Sequence, residues 1–335
     1  MVKQNFSAYV VRETSPGHFV GAIEQRTIKD LPPGEVLLQV RYSSLNYKDA
    51  LSASGNRGVT KCYPHTPGID AAGVVISSSS PLVKCGDDVI CMGYDLGMNT
   101  AGGLGQFIRV PASWVVKKPD TISLLQAMQI GTAGFTAAQS VLALIDNSVT
   151  PEKGEILVTG SSGGVGSIAT HLLSELGFRV TALTSKERVQ EYLLSLGAKT
   201  VLSPKVLLED RHKFLLSERW AGVIDTVGGD ILATAIKGLH FDGVATCCGN
   251  AASAELILTV YPFILRGIHL IGIYSANCPR EKRLKVWQKL AAEWQLPMLK
   301  DMSRTISLSG VSREVDAMLA GKTIGRCVVD LWEEM

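Results

Sequence analysis

A group of glycines lies between an apolar run and an amphipathic segment near the middle of the chain. The stretch EILVTGSSGGVGSIATHLL places Gly160, Gly163, Gly164, Val165 and Gly166 at this turn. Glycines there permit a tight turn, a close approach of the backbone to a pyrophosphate, and close packing of helix on strand. The N-terminus of the next helix would offer free N–H groups to phosphates. The pattern predicts a dinucleotide site; a turn without ligand, or a site for another nucleotide such as S-adenosylmethionine, are the alternatives.

The strand that follows this turn ends without an acidic residue. An Asp or Glu about 20 residues beyond the glycines binds the ribose 2′-hydroxyl of NAD. This chain instead has Ser185, Lys186 and Arg188 in the segment TSKER. The serine can donate a hydrogen bond and the two cations can neutralise a 2′-phosphate, so the sequence predicts NADP(H). The alternative is that SKER is the solvated first turn of a helix, although cations there are mildly unfavourable.

The elements that must position these residues fall into two groups. Short strands bounded by Gly, Pro or Asp precede residue 120, among them EVLLQVRYS, GVVIS, DDVICMG, QFIRVP and WVVKKP, which indicates an antiparallel β-rich domain. From Ser123, which is expected to cap a helix, SLLQAMQIGTAGFTAAQSVLALI has helical spacing. Strands and helices then alternate, which predicts an α/β fold with a doubly wound parallel sheet of the Rossmann type. We therefore expect a cofactor domain at 123–272, inserted in a β-rich domain of residues 1–122 and 273–335.

The composition is that of an ordinary globular protein. With 46% hydrophobic residues, 19% charged residues and a net charge of +2, the chain gives no reason to expect nucleic acid or an anionic membrane as partner. No run approaches the ~18 apolar residues of a membrane span, and MVKQNFSAYVVRET lacks the apolar core of a signal peptide. Seven cysteines without a CxxC pair indicate reduced thiols. These features predict a cytoplasmic protein.

Taken together, the motifs resemble those of the medium-chain dehydrogenase/reductase superfamily over essentially the whole chain. They occur in the expected order: PPGEVLLQV, SSLNYKDAL, PGIDAAGVV, GGLGQFIRV, GTAGFTAA, VTGSSGGVG, LTSKER, DTVGG and AGKTIGR. The segments SSLNYKDALSASG, IGTAGFTA, EYLLSLGA and PFILRG look most like the acryloyl-coenzyme A reductase group, whose members are also called quinone oxidoreductases. The resemblance implies a GroES-like catalytic domain, a Rossmann cofactor domain and a homodimer joined through the cofactor domains.

The ligands of the zinc-dependent members are missing from the matching segments. Those members have a cysteine where this chain has SLNYKD, and Gly-His-Glu where it has Gly68, Ile69 and Asp70. Asn46 and Ile69 thus replace two ligands, and CMGYDLGMNTAGG holds one cysteine where a four-cysteine zinc lobe would begin. The six scattered histidines are interpreted as packing or surface residues. Because zinc needs N and S ligands, the resemblance implies an enzyme without metal.

The resemblance further implies reduction of an activated C=C bond by NADPH. Hydride would reach the β-carbon of acryloyl-coenzyme A, leaving an enolate that is protonated to propionyl-coenzyme A. Such a reaction needs contact, hydrogen-bond donation to the developing oxyanion, and a proton. Tyr47 is assigned to the nicotinamide, either as proton donor or only as a packing residue, and Asn46 to orienting substrate or loop. Asp49 is expected to cap or pair within its domain.

Other cofactor contacts follow from the resemblance alone. They are Thr132 near the phosphates, Gly249 and Asn250 along the dinucleotide, Ile264 and Ser275 toward the nicotinamide, and Lys322 at the cofactor or a substrate phosphate. The substrate would be a small molecule, either an acyl-coenzyme A enone or a quinone. Two other functions stay open: a broad-specificity NADPH:quinone oxidoreductase, whose cofactor site would be identical, and a non-catalytic NADPH-binding protein.

Overall fold

The computed structural model describes residues 5–333, which form two compact units. The first unit contains the chain up to Thr132, Ala276–Ala291 and the residues from Leu299 onward, and the second contains Ala133–Ser275 and Ala292–Met298. We keep 123–272 as our proposal for the functional cofactor domain. The compact units differ from it in two ways: residues 123–132 belong to the first unit, and residues 273–275 and Ala292–Met298 belong to the second.

Strands and helices alternate in the second unit, whereas strands dominate the first. The strands are β1 (Asn5–Ser15), β2 (His18–Thr27), β3 (Val36–Ser44), β4 (Asp70–Ser78), β5 (Asp88–Met92), β6 (Phe107–Val110), β7 (Val115–Lys117), β8 (Glu155–Thr159), β9 (Arg179–Leu183), β10 (Thr200–Leu202), β11 (Trp220–Asp225), β12 (Leu239–Cys247), β13 (His269–Gly272), β14 (Ser303–Ser307) and β15 (Arg326–Asp330). The helices are α1 (Tyr47–Ala53), α2 (Leu124–Asp146), α3 (Gly164–Glu175), α4 (Gln190–Ser195), α5 (Pro204–Leu208), α6 (Gly229–Lys237), α7 (Tyr261–Arg266), α8 (Arg280–Ala291) and α9 (Val311–Leu319).

The first unit is built on a mostly antiparallel sheet, as the sequence predicted. Its strand order is β14-β15-β3-β4-β5-β7, with β6 also paired to β3 and β1-β2 forming a separate hairpin. Only β14 and β15 pair in parallel among the described strands of this sheet. In β3, Val36, Leu38 and Val40 are buried in one core cluster, while Leu37 on the opposite face is buried in a second cluster, so both faces of this part of the strand are covered.

The second unit contains the predicted doubly wound parallel sheet. Six parallel strands stand in the order β10-β9-β8-β11-β12-β13. The strands are short apolar runs: Ile156, Leu157 and Val158 of β8 have no exposed surface. Such runs are typical of parallel strands that are covered on both faces. The strand order reverses between β8 and β11, which is the place where open parallel sheets bind ligands.

Helix α2 begins as the sequence predicted but bends where it did not. Gln126 N–H donates to Ser123 Oγ (3.1 Å) and Ser123 N–H donates to Gln126 Oε1 (2.8 Å), so a capping box starts the helix. At Gly131 the backbone leaves the helical region (φ 50°, ψ −160°). A Cβ there would lie 2.6 Å from atoms of Asp70, Ser44 and Arg326, so only glycine fits this kink.

Helix α2 also has a length and hydropathy that would allow it to cross a membrane. The expectation concerned unbroken apolar runs, and α2 is not one, since Gln, Gly, Thr and Ser residues interrupt its apolar side chains. In the fold, 83% of its apolar window is buried inside the protein. A mostly buried core helix meets the same criterion, so composition alone does not make α2 a membrane span.

Candidate active site

The carboxyl ends of the parallel strands bring together most of the predicted cofactor-binding residues. The glycine turn follows β8, Ser185 and Lys186 follow β9, Gly249 and Asn250 follow β12, and Ser275 follows β13. Because the strands are parallel, these ends lie along one edge of the sheet. The edge includes the point of strand reversal, so the second unit arranges these residues as a dinucleotide site requires.

The glycine turn is shaped by close contacts that a larger residue would prevent. Gly160 has a positive φ of 58°, and a Cβ on Gly166 would lie 2.4 Å from the Gly160 carbonyl oxygen. Gly163 is the N-cap of α3, and no side chain caps that helix. The first N–H groups of α3, beginning at Gly164 and Val165, therefore need a ligand or solvent as acceptor. Phosphate oxygens suit that position.

Two cations stand beside the glycine turn. Lys186 is half-buried and precedes a short 3₁₀ turn, Glu187–Val189, that carries the exposed Arg188. Burial and the positive charge of Arg188 lower the pKa of the Lys186 ammonium. Lys186 N–H donates to Thr184 Oγ1 (3.2 Å), which donates to Ser162 Oγ in the glycine turn (3.3 Å). These bonds connect the segment that carries Lys186 and Arg188 to the glycine turn. An anion bound there would relieve the repulsion between the two positive charges.

Asp225 is a structural contributor to this edge that the sequence analysis missed. Thr159 Oγ1 donates to its Oδ1 (2.6 Å), and the N–H groups of Val227 (3.2 Å) and Gly228 (2.8 Å) donate to its Oδ2. Burial raises the pKa of this carboxyl group. The contacts connect the loops after β8 and β11. The signal was available, since Asp225 ends an otherwise apolar strand in GVIDTVGG.

The remaining predicted residues lie elsewhere. Ile264 is on α7 and is 69% exposed, among other exposed apolar side chains of the second unit. Asn46, Tyr47, Thr132 and Lys322 belong to the first unit. Lys322 is exposed in the turn between α9 and β15, where its N–H donates to the carbonyl of α9 residue Ala317 (2.9 Å).

Helix α1 begins at Tyr47 and is held at its N-terminus by Asp49. The Asp49 carboxylate accepts hydrogen bonds from the backbone N–H groups of Asn46 (2.7 Å), Gly68 (3.1 Å) and Ile69 (2.9 Å). The expectation that Asp49 caps or pairs within its own domain is confirmed. Burial, followed by the negative charge of Asp70, raises the pKa of Asp49 to about 7. The Tyr47 side chain is 52% exposed, and its hydroxyl has no hydrogen-bond partner among residues 5–333.

The amide of Asn46 is occupied by neighbouring protein groups. Its Nδ2 donates to Asp70 Oδ2 (2.8 Å) and to the Ser44 carbonyl (3.2 Å), and its Oδ1 accepts from Arg326 (3.2 Å). These contacts are compatible with the predicted role of Asn46 in orienting the loop, which stays a prediction. Asp70 and Arg326 lay within the motifs PGIDAAGVV and AGKTIGR, but nothing local in either motif indicates that the two side chains meet.

The positions that replace zinc ligands form no metal cluster in the described part of the chain. Within residues 5–333, no group of three or more His, Cys, Asp and Glu side chains is placed to hold a metal ion. Cys91 is buried, which raises the pKa of its thiol to about 12 and disfavours the thiolate that would bind zinc. Independence from zinc stays a prediction for elemental analysis.

Comparison with known proteins identifies the family to which this chain belongs. Residues 32–120 match the alcohol dehydrogenase GroES-like domain, and residues 164–292 match the family described as zinc-binding dehydrogenase. The chain is 41% identical over 327 residues to acrylyl-CoA reductase AcuI of Ruegeria pomeroyi, covering 97% of this chain and 99% of that one. It is 40% identical to the putative quinone oxidoreductase YhfP of Bacillus subtilis, covering 90% and 92% of the two chains.

Solved structures of similar proteins have the same fold. The yhdH oxidoreductase of Salmonella enterica, crystallised with NADP, gives a TM-score of 0.94 at 38% identity and covers 97% of this chain and 99% of its own. The structure of YhfP, which contains NAD, gives a TM-score of 0.95 at 38% identity, covering 98% and 99%. The chain therefore belongs to the medium-chain dehydrogenase/reductase superfamily, in the branch whose members bear the names acrylyl-CoA reductase and quinone oxidoreductase.

Proposed function

We propose that this protein is an NADPH-dependent reductase of activated C=C bonds and that acryloyl-coenzyme A is its substrate. The observation that carries the proposal is the 41% identity to acrylyl-CoA reductase AcuI over nearly the full length of both chains. Similarity of this extent covers the catalytic and cofactor domains together, so it supports the reaction as well as the fold.

NADP(H) is the cofactor in this proposal, and the residues along the sheet edge fit it. The start of α3 has no side-chain cap and would hold the pyrophosphate at Gly163, Gly164, Val165 and Gly166. The 2′-phosphate would be held by Ser185, Lys186 and Arg188. Burial and, after it, the positive charge of Arg188 lower the pKa of Lys186, and a bound phosphate would stabilise both cations. NAD is the competing cofactor, since YhfP was crystallised with it.

The chain's own groups have a limited task in such a reaction. Bound NADPH supplies the hydride. Tyr47 is exposed at the first turn of α1 and donates its hydroxyl proton to the developing enolate, either directly or through a water molecule that protonates the enolate. Asn46 orients the loop that carries Tyr47. The other proposed cofactor contacts are Thr132, Gly249, Asn250, Ile264, Ser275 and Lys322.

A quinone is the alternative substrate class, and the name of YhfP favours it. The cofactor site would be the same, so only the acceptor distinguishes the two activities. A non-catalytic NADPH-binding protein is the third possibility. The deciding experiment follows NADPH oxidation by the purified protein with acryloyl-coenzyme A, with a quinone, and with no acceptor. We expect the highest kcat/KM with acryloyl-coenzyme A; a quinone preference selects the alternative, and no turnover with either acceptor overturns both enzyme assignments.

We also propose that the protein is a cytoplasmic homodimer that binds neither nucleic acid nor a membrane. Strand β13 pairs with β12 on one side, and no strand among residues 5–333 covers its other side. Near it in sequence are apolar side chains that are 57% to 77% exposed: Ile257, Val260, Ile264, Leu265 and Tyr274. An open strand edge with exposed apolar neighbours supports pairing with a second copy.

A further inference from the structure

A single buried carboxylate connects three elements of the first unit. Asp70, at the start of β4, has no exposed surface. Its Oδ2 accepts hydrogen bonds from Ser44 Oγ (2.6 Å), Asn46 Nδ2 (2.8 Å) and Thr132 N–H (2.9 Å). Its Oδ1 accepts from Thr132 Oγ1 (2.5 Å). Asp70 therefore ties the end of β3 and the N-cap of α1 to the kink in α2.

Arg326 completes this arrangement from β15. Its guanidinium, 3% exposed, lies 3.8 Å from Asp70 Oδ2 and donates to Ser44 Oγ (2.8 Å) and Asn46 Oδ1 (3.2 Å). It also donates to the carbonyl groups of Leu45 (3.3 Å) and Gln129 (3.2 Å). The Asn46 amide thus has its oxygen toward a donor and its nitrogen toward acceptors, which fixes its orientation.

We infer that Asp70, paired with Arg326, is a positioning residue for Tyr47. Tyr47 follows Asn46 directly and opens α1, which has only seven residues. So short a helix has little stability of its own, and the groups bound to its N-cap determine where it starts and how its first residue projects. The inference rests on the proposed function, because it assumes that Tyr47 takes part in the reduction.

The substitution Asp70→Asn preserves the shape of the side chain and changes its bonding. The groups around Asp70 are donors, so an amide NH₂ in place of one oxygen sets donor against donor. The charge opposite Arg326 is lost as well. We expect the N-cap of α1 to shift and Tyr47 with it. Misplacement of a reacting group by about 1 Å can cost about 100-fold in rate, so a roughly 10- to 100-fold lower kcat is expected.

A double-mutant cycle tests whether Asp70 acts through Tyr47. Asp70→Asn, Tyr47→Phe and the double variant are compared with the parent by the kcat of NADPH-dependent acceptor reduction. If Asp70 positions the Tyr47 hydroxyl, Asp70→Asn should lower kcat by about 10-fold or more in the parent but by less than about 2-fold in the Tyr47→Phe background. A purely structural role would give the same fold-loss in both backgrounds.

A milder variant and a matched control accompany the cycle. Ser44→Ala removes one bond to Asp70 without changing any charge, and it replaces Asp70→Asn in the cycle if that variant does not fold. Asp330 lies on β15, like Arg326, and its carboxylate pairs with Arg41 (3.0 Å). Asp330→Asn removes this carboxylate and should leave kcat unchanged. The inference is overturned if the loss of kcat is equal in both backgrounds. It is also overturned if neither Asp70→Asn nor Ser44→Ala lowers kcat, or if Tyr47→Phe does not lower it. A parent without turnover on any acceptor instead refutes the proposed function.

Discussion

Lys186 is the residue at which the proposed site distinguishes NADPH from NADH. Lys186 is half-buried, and this burial, followed by the positive charge of Arg188, lowers the pKa of its ammonium group. A charged hydrogen bond to phosphate contributes about 1.5 to 3 kcal/mol. Lys186→Ala should therefore weaken NADPH binding about 10- to 150-fold. NADH affinity should hardly change, because NADH has no 2′-phosphate to contact.

Fluorescence titration of the two cofactors measures this difference directly. Lys205→Ala, at an exposed lysine on α5 in the same unit, is the matched control and should change neither Kd. Equal Michaelis constants for NADPH and NADH in the parent protein would contradict the assignment of Ser185, Lys186 and Arg188 to the phosphate.

Tyr47 is the residue to which we assign proton donation. Tyr47→Phe keeps the ring and removes only the hydroxyl, so packing is preserved and the acidic proton is lost. General acid assistance is typically worth about 10²- to 10⁴-fold. Since acryloyl thioesters are reactive and water can replace a donor, we expect a loss of about 10²-fold, near the bottom of that range.

Single-turnover oxidation of bound NADPH separates the chemical step from product release. The control is Tyr42→Phe, a tyrosine on β3 that stacks with Arg41 (5.1 Å) and has no assigned role. NADPH affinity should stay close to that of the parent in both variants. A single-turnover rate for Tyr47→Phe equal to that of the parent would make Tyr47 a packing residue and leave protonation to water.

At the scale of elements, the cap of α1 makes stability depend on pH. The pKa of Asp49 is raised to about 7 in the folded protein, against about 3.9 in an unfolded chain. Between these values the folded protein holds a proton that the unfolded chain releases, so the free energy of unfolding falls as the pH rises. From about pH 5 to about pH 8 this group should remove about 2 to 3 kcal/mol.

Urea unfolding at these two pH values tests this dependence. Asp49→Asn has no proton to release, so the stability difference between the parent and this variant should shift toward the variant by about 2 to 3 kcal/mol on going to the higher pH. Groups other than Asp49 titrate in both proteins and cancel in the comparison. A stability difference that does not change with pH would show that Asp49 ionises near its ordinary pKa.

Local patterns were sufficient to predict most of the elements. Apolar runs bounded by glycine and proline marked the strands of both sheets, and Ser123 marked the start of α2. The hairpin β1–β2 was missed although Pro16 and Gly17 mark its turn, because β2 has no fully buried residue and its sequence HFVGAIEQRT does not alternate regularly between apolar and polar residues. The kink at Gly131 could not be predicted, since its contacts come from distant parts of the sequence.

The candidate site was likewise predictable only in part. The residues along the parallel sheet edge follow from the alternation of strands and helices, since the carboxyl ends of parallel strands share an edge. The contacts of Asp70 with Thr132 and Arg326 depend instead on how separate strands and helices pack. No spacing within a motif encodes these contacts, so the sequence alone could not predict that the Asn46 amide is hydrogen-bonded to Asp70 and Arg326.

For the molecule as a whole, we expect activity without zinc. Asn46 and Ile69 stand where the zinc-dependent members have ligands, and a tetrahedral site cannot form without them. Exhaustive chelation should leave kcat unchanged, and elemental analysis should find well under one zinc per chain. Stoichiometric zinc whose removal abolishes activity would mean that the assignment of these two residues as ligand replacements is wrong.

We also expect the whole molecule to be a dimer in solution. Light scattering should give twice the chain mass for the parent. Ile257→Glu places a charge among the exposed apolar side chains near β13 and should shift the protein toward monomer, whereas Leu82→Glu, at a 45% exposed position in the first unit, should not. A parent that is monomeric at micromolar concentration would exclude the proposed assembly.

The bonds to Asp70 also limit how this chain can change over evolution. Ser44, Asn46, Thr132 and Arg326 all bind or face one carboxylate that water does not reach. Losing the aspartate alone would strand a buried guanidinium, and losing the arginine alone would strand a buried carboxylate. Neither intermediate is readily tolerated, so the charged pair has to be exchanged in linked steps. These positions should therefore co-vary as a group across related sequences, although they are scattered along the chain.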